Sequence, residues 1–100
     1  MNYRVVYTER FQERVNNHVD YLLAERVSIE TITAWYDRMY ELLDSLDEIP
    51  KRFPVDEHVS NETGSLTRKL NYGKYVVLYT VDDDDRTVQI IEFIHGARRK

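Results

Sequence analysis

Arg68, Lys69, His95, Arg98 and Arg99 are the residues of this 100-residue chain whose types suit work on an anion. Arginine offers paired N–H donors that match phosphate or carboxylate oxygens. A histidine beside them can exchange protons near neutral pH. Arg68 and Lys69 are neighbours in a strand-like stretch, so their side chains point to opposite faces. His95 closes the last apolar run, and Arg98 and Arg99 follow almost at once. The expectation is an anion pocket on the open face of a sheet, formed by Arg68, His95 and the C-terminal arginines. The bland alternative, an exposed strand arginine and a solvated tail at 98–100, stays open at this level.

Other site chemistries find little support. His18, His58 and His95 are far apart in sequence and fit no metal-binding spacing. No cysteine is present, which excludes disulfides, thiol catalysis and Cys-ligated zinc. The three glycines form no phosphate loop, and no GxSxG elbow occurs. Asp82 to Asp85 lack the spaced ligands of a calcium loop and suit a solvated hairpin tip. No metal and no cofactor are expected.

The elements that must position these residues follow from periodicity. Residues 2–7 read as a short strand rich in Tyr and Val. Thr8 suits an N-cap, with Glu9 in the first turn. Phe11, Val15, Val19, Leu22 and Leu23 then make one helical stripe, with His18 at its flank and an end near Arg26. Ser28 caps a second helix, whose stripe runs through Ile32, Trp35, Tyr36, Met39, Leu42, Leu43 and Leu46 to the stops at Pro50 and Pro54. That spacing suits core packing, not a ligand box. Residues 50–65 show no period and read as a long loop. Residues 66–71 are a modest strand, 75–81 a central one, and 87–95 the last. The order β-α-α-β-β-β gives an α+β, two-layer fold with a helix hairpin on one face of a small antiparallel sheet. One domain over residues 1–100 is expected.

Net charge is −4, but it is unevenly spread. Residues 1–65 hold seven Lys and Arg against thirteen Asp and Glu; residues 66–100 hold seven against five, four of them in the aspartate run. An anion-facing surface therefore belongs to the C-terminal third. No apolar stretch has the length of a membrane span, and the N-terminus lacks a signal-peptide core. A cytoplasmic protein with no membrane partner is expected.

The chain resembles the RelE/ParE superfamily of bacterial type II toxin–antitoxin toxins along nearly its whole length. The resemblance begins with Tyr3-Arg4-Val5-Val6-Tyr7-Thr8 leading into Phe11 and continues through the helix hairpin. It is most specific in two stretches. One is R-x-L-x-x-G-x-Y-x-V-x-Y, from Arg68 to Tyr79. The other is I-x-x-I-H-G-A-R, from Ile91 to Arg98, an ending similar to the ParE and plasmid-stabilisation branch. The resemblance implies a growth inhibitor neutralised by a cognate antitoxin, docked on the helix hairpin and part of the sheet, in complexes that can reach higher oligomers. A ParE-like toxin poisons DNA gyrase without being a nuclease. A RelE-like toxin cleaves mRNA on the ribosome, with Arg68, His95 and Glu92 as the catalytic set and Lys69, Arg98 and Arg99 binding target or anion. A module that only binds its antitoxin is the third reading. Glu92 stands near where the RelE branch tends to carry Arg, and a carboxylate there repels a scissile phosphate unless it serves as the base. That difference, the acidic total and the lack of a Tyr-bearing C-terminal helix favour the ParE-like reading.

Overall fold

Thr8 ends the first strand and starts the first helix. Its backbone is extended and its side chain accepts the Phe11 N–H at 3.1 Å, satisfying a donor the helix cannot use. In the computed structural model, which describes residues 2–95, β1 (Arg4–Tyr7) leads through this cap into α1 (Glu9–Ala24). Arg26, in the left-handed region at φ 63°, turns the chain toward Ser28. Ser28 caps α2 (Ile29–Asp44) by accepting from Thr31 N–H. A 3-10 turn at Ser45–Asp47 follows, then α3 (Glu57–Thr63), β2 (Arg68–Tyr72), β3 (Tyr75–Asp82) and β4 (Thr87–His95).

The sheet order is β1-β4-β3-β2. β2, β3 and β4 form the expected antiparallel meander, but β1 pairs with β4 in parallel, so the sheet is mixed rather than antiparallel. The long excursion through three helices lets the first strand return beside the last in the same direction. The stretch at 50–65 is not wholly irregular either. Asp56 accepts from Val59 N–H to cap α3, and Gly64, at φ 77°, closes it in the left-handed conformation.

Phe11 and Val15 of α1 and Met39 and Leu43 of α2 bury one face of the sheet against Leu70, Val77, Tyr79, Val88, Ile90 and Phe93. Only the first half of the α1 stripe is fully covered; Leu23, at the far end of the hairpin, is 48% exposed. Trp35 lies in the same layer, and its indole N–H is buried without an acceptor among the described residues. The Tyr7 hydroxyl, beside Phe11, donates to Asp44; burial and that carboxylate push its pKa far up. No helix among the described residues is long and apolar enough to cross a membrane.

The aspartate run makes the β3–β4 turn, as its composition demands. Asp82 Oδ1 accepts the N–H groups of Asp84 and Asp85, which folds the turn on itself. Asp83 receives the Tyr3 hydroxyl and the Lys51 ammonium, each at 2.7 Å, and Arg4 lies 3.6 Å from Asp85. The Lys51 and Tyr3 hydrogen bonds hold the Asp83 carboxyl below its ordinary value. A depressed carboxylate stabilises the fold above its unfolded pKa, and that contribution disappears as pH falls through the folded value. Asp83→Asn should therefore lower the melting temperature slightly at pH 7. The difference from wild type should vanish below the carboxylate range and shrink in about 1 M salt. Thermal melts of both proteins at the two pH values check this.

Candidate functional site

β4 is paired on its outer side only from Thr87 to Ile90, because β1 stops at Tyr7. Beyond that point α1 takes over the flank. Thr8 N–H donates to Ile90 O at 3.0 Å, and the Thr8 hydroxyl reaches Ile91 O at 3.5 Å. A bulge lies at the same place. Tyr79 is opposite Ile90 and Leu78 is opposite Glu92, which leaves Ile91 as an extra residue. This irregularity decides the site. Strict alternation from Val88 would turn Glu92 into the core and His95 outward. The bulge reverses both: Phe93 and His95 return to the helix side, and Glu92 and Ile94 face the other way.

His95 is paired with Tyr75, and their rings meet edge-on at 5.4 Å. Tyr75 OH lies 2.7 Å from His18 Nε2, and burial raises the tyrosine pKa, so its hydroxyl stays protonated at neutral pH. The His18 ring lies 6.4 Å from that of His95 and also packs against Tyr21, Trp35 and Phe93. His18 is therefore central to an aromatic and imidazole cluster, not a bystander on a helix flank. A sequence signal existed: His18 follows Val15 by three positions on the buried stripe.

Glu92 is the other half of the site. Its carboxylate accepts hydrogen bonds from Arg10 Nε at 2.7 Å and from the Phe93 N–H at 3.2 Å, and Arg14 Nε forms an ion pair at 3.5 Å with the oxygen that Arg10 does not use. The glutamate side chain is 15% exposed, whereas Arg10 and Arg14 are 63% and 51% exposed. Two hydrogen bonds and an ion pair on one carboxylate describe an anchor between α1 and β4. Arg10 and Arg14 escaped the sequence reading because they lie about 80 positions from their partner. These groups rim a groove of about 850 Å³, with Leu78, Ile91 and Ile94 on its floor and His58 and Glu62 of α3 on the far wall.

The structure separates the residues that the sequence grouped. Arg68 shares the helix face with Leu70 and is paired with Tyr79. Tyr79 lies four positions along β3 from Tyr75, the partner of His95, which is about 13 Å along the strand. The expected pocket of Arg68 and His95 on the open face does not form. Both side chains belong to the helix side, at opposite ends. Arg68 Nη1 donates instead to Phe53 O at 2.7 Å and Lys51 O at 3.4 Å. Lys69, on the open face, lies 3.9 Å from Asp56, the cap of α3. Glu92 and His95 do line one groove. Arg98 and Arg99 lie outside the described residues. No group of three or more metal-ligating side chains occurs among the described residues.

Comparison with known proteins agrees with this architecture. The RelE toxin fold in the archaeal RelE–RelB complex of Pyrococcus horikoshii OT3 superposes with a TM-score of 0.62 at 20% identity, covering 99% of this chain and 100% of that one. The RelBE2 toxin–antitoxin complex of Mycobacterium tuberculosis gives 0.61 at 20% identity, covering 95% and 99%. A free, doubly mutated RelE toxin of E. coli gives 0.52 at 16%, covering 96% and 85%. These likenesses are of fold. No curated protein matches the chain by sequence at a significant level. The family model for the ParE toxin of the type II toxin–antitoxin system, parDE, matches residues 3–100. With that match over nearly its full length, the chain belongs to the ParE toxin family and is the toxin component of a type II toxin–antitoxin system.

Proposed function

We propose that this toxin arrests growth by binding a protein target in the cytoplasm, DNA gyrase on the ParE pattern, and not by cutting mRNA. The observation that carries the reading is Glu92. Held on Arg10 and Arg14 in the groove that His95 also lines, it puts a largely covered carboxylate where an RNA-cutting site must draw in a phosphate. Two hydrogen bonds and an ion pair already engage both of its oxygens, which leaves it poorly placed to take a proton from a ribose hydroxyl. Arg68 supports the same view, since its guanidinium is held through Nη1 on the carbonyls of Lys51 and Phe53. Affinity for nucleic acid rests on phosphate contacts, and a chain of net charge −4 is poorly equipped for them.

The test is to induce the toxin without its antitoxin and purify it in parallel. Growth should stop, purified toxin should inhibit gyrase supercoiling, and primer extension on cellular mRNA should show no new ends within codons. Uninhibited supercoiling together with fresh cleavage sites would reverse the assignment in favour of the nuclease. Normal growth would instead identify a module that only binds its antitoxin.

A further inference from the structure

Glu30, Asp37, Glu41 and Asp44 are all exposed on α2. At about 100° per residue they fall within about 60° of one another, on the side of the helix opposite the buried Met39 and Leu43. Asp37, Glu41 and Asp44 follow one another at about 6 and 4.5 Å along the axis. We infer that this outer face of α2 docks on a basic, arginine-bearing surface of the toxin's protein target. The inference rests on the protein-target reading above and names the chemistry of the contact.

Charge is the first argument. From Ile29 to Ile49 six carboxylates stand against one cation, Arg38, which projects to the side of the row. The ion pairs of the described residues include neither these carboxylates nor Arg38. Asp44 accepts the Tyr7 hydroxyl, a neutral donor that leaves its charge uncompensated. The row is unfavourable to the folded chain in two ways. Asp37, Glu41 and Asp44 are like charges three and four positions apart, and such pairs repel. Glu41 and Asp44 also sit at the negative end of the helix dipole, in a last turn that carries no basic residue. An ordinary solvated helix face interleaves both signs. Local rules broken without internal compensation belong to functional surfaces, and here the missing element is a cation from outside.

The flank of the row supplies the second argument. Ile29, 69% exposed, and Tyr36, 36% exposed, border the carboxylates on one side. Tyr36 packs on Tyr40 with ring centroids 4.6 Å apart, which fixes its ring at the surface. Tyrosine faces beside carboxylates suit arginine, whose guanidinium can lie on the ring while donating to the acids. Tyrosine and arginine are also the side chains that most often carry the affinity of a protein interface. An enzyme that works on DNA presents arginines and lysines around its DNA path, because its hold on DNA rests on phosphate contacts. Nucleic acid itself would be repelled by the row.

The test compares the toxin concentration that half-inhibits gyrase supercoiling for wild type, Asp37→Asn/Glu41→Gln, Tyr36→Ala and a charge-matched control on the exposed side of α1, Glu13→Gln/Asp20→Asn. The α2 double variant should need roughly tenfold more toxin, although it should melt about 2–4 °C above wild type because a repulsion has been removed. Tyr36→Ala should need about three- to tenfold more. The α1 control should stay within about twofold of wild type, since it alters the net charge but not this face. Unchanged inhibition by either α2 variant overturns the assignment of the face and leaves the protein-target reading standing. Each α2 variant is read alone, so the test survives one that fails to fold. An equal loss in the α1 control would trace the effect to net charge and would also overturn it. So would a matching loss of affinity for the antitoxin, measured by calorimetry, which would give the face to the antitoxin. Wild-type toxin that leaves supercoiling untouched overturns the gyrase reading and the inference with it.

Discussion

Arg68→Ala should destabilise the toxin by about 2 kcal/mol, and any loss of toxicity should follow the loss of folded protein. The expectation comes from what the guanidinium touches. Arg68 and Tyr79 are direct cross-strand partners, and together they hold the backbone of Phe53. Arg68 Nη1 donates to Phe53 O at 2.7 Å, and Tyr79 OH accepts from Phe53 N–H at 3.4 Å. A hydrogen bond involving a charged group contributes about 1.5–3 kcal/mol, and leaving a part-buried carbonyl without its donor costs in the same range. For a domain of this size, 2 kcal/mol moves the melting temperature by roughly 8–16 °C. Tyr79→Phe should cost less, about 1 kcal/mol, because it removes one longer neutral bond. A double-mutant cycle between the two should show coupling, since both act on one peptide unit. A phosphate-binding Arg68 predicts the opposite pattern: unchanged melting, with toxicity gone. Melting curves and growth assays on the same variants separate the two cases.

This arginine also shows how the sequence can mislead. In Arg68-Lys69-Leu70-Asn71-Tyr72 the one aliphatic residue, Leu70, must face the core, so alternation places Arg68 and Tyr72 on its side and Lys69 and Asn71 on the other. The information was present, but the eye goes to the charge. Both main helices were legible because their stripes repeat at the helical period and Thr8 and Ser28 cap them. The parallel pairing of β1 was not. Its partner lies some 80 positions away, and four residues carry no signal of strand direction. The helix α3 has seven residues, too few for periodicity, although its Asp56 cap and Gly64 stop were in plain view. At the site, the doublet Ile90-Ile91 breaks the alternation of β4 and marks the bulge. The clamp of Arg10 and Arg14 on Glu92 depends on how α1 lies against β4, which no local pattern encodes.

That dependence makes Phe11 the most consequential single residue for the groove. Phe11 and Val15 are the two fully buried side chains of α1 among the described residues. Phe11 has no exposure, and its ring meets Tyr7, Tyr40 and Phe93 at centroid distances of 5.7, 6.1 and 6.2 Å. It therefore ties β1, α2 and β4 to the first turn of α1, next to Arg10. Phe11→Ala removes the ring and leaves a cavity among elements that cannot all close on it, at about 3–5 kcal/mol. The melting temperature should fall by roughly 12 °C or more. Against a total stability of about 5–15 kcal/mol, the folded population at growth temperature becomes marginal, and the toxin should lose its effect in cells. Phe11→Leu should recover much of the stability, because it refills most of the volume. An excess of the cognate antitoxin should raise the melting temperature of Phe11→Ala, since a ligand of the native state stabilises it by mass action. Differential scanning fluorimetry with and without antitoxin reads both effects, and a melting temperature for Phe11→Ala within about 3 °C of wild type would show that α1 is held to the sheet by something other than this ring.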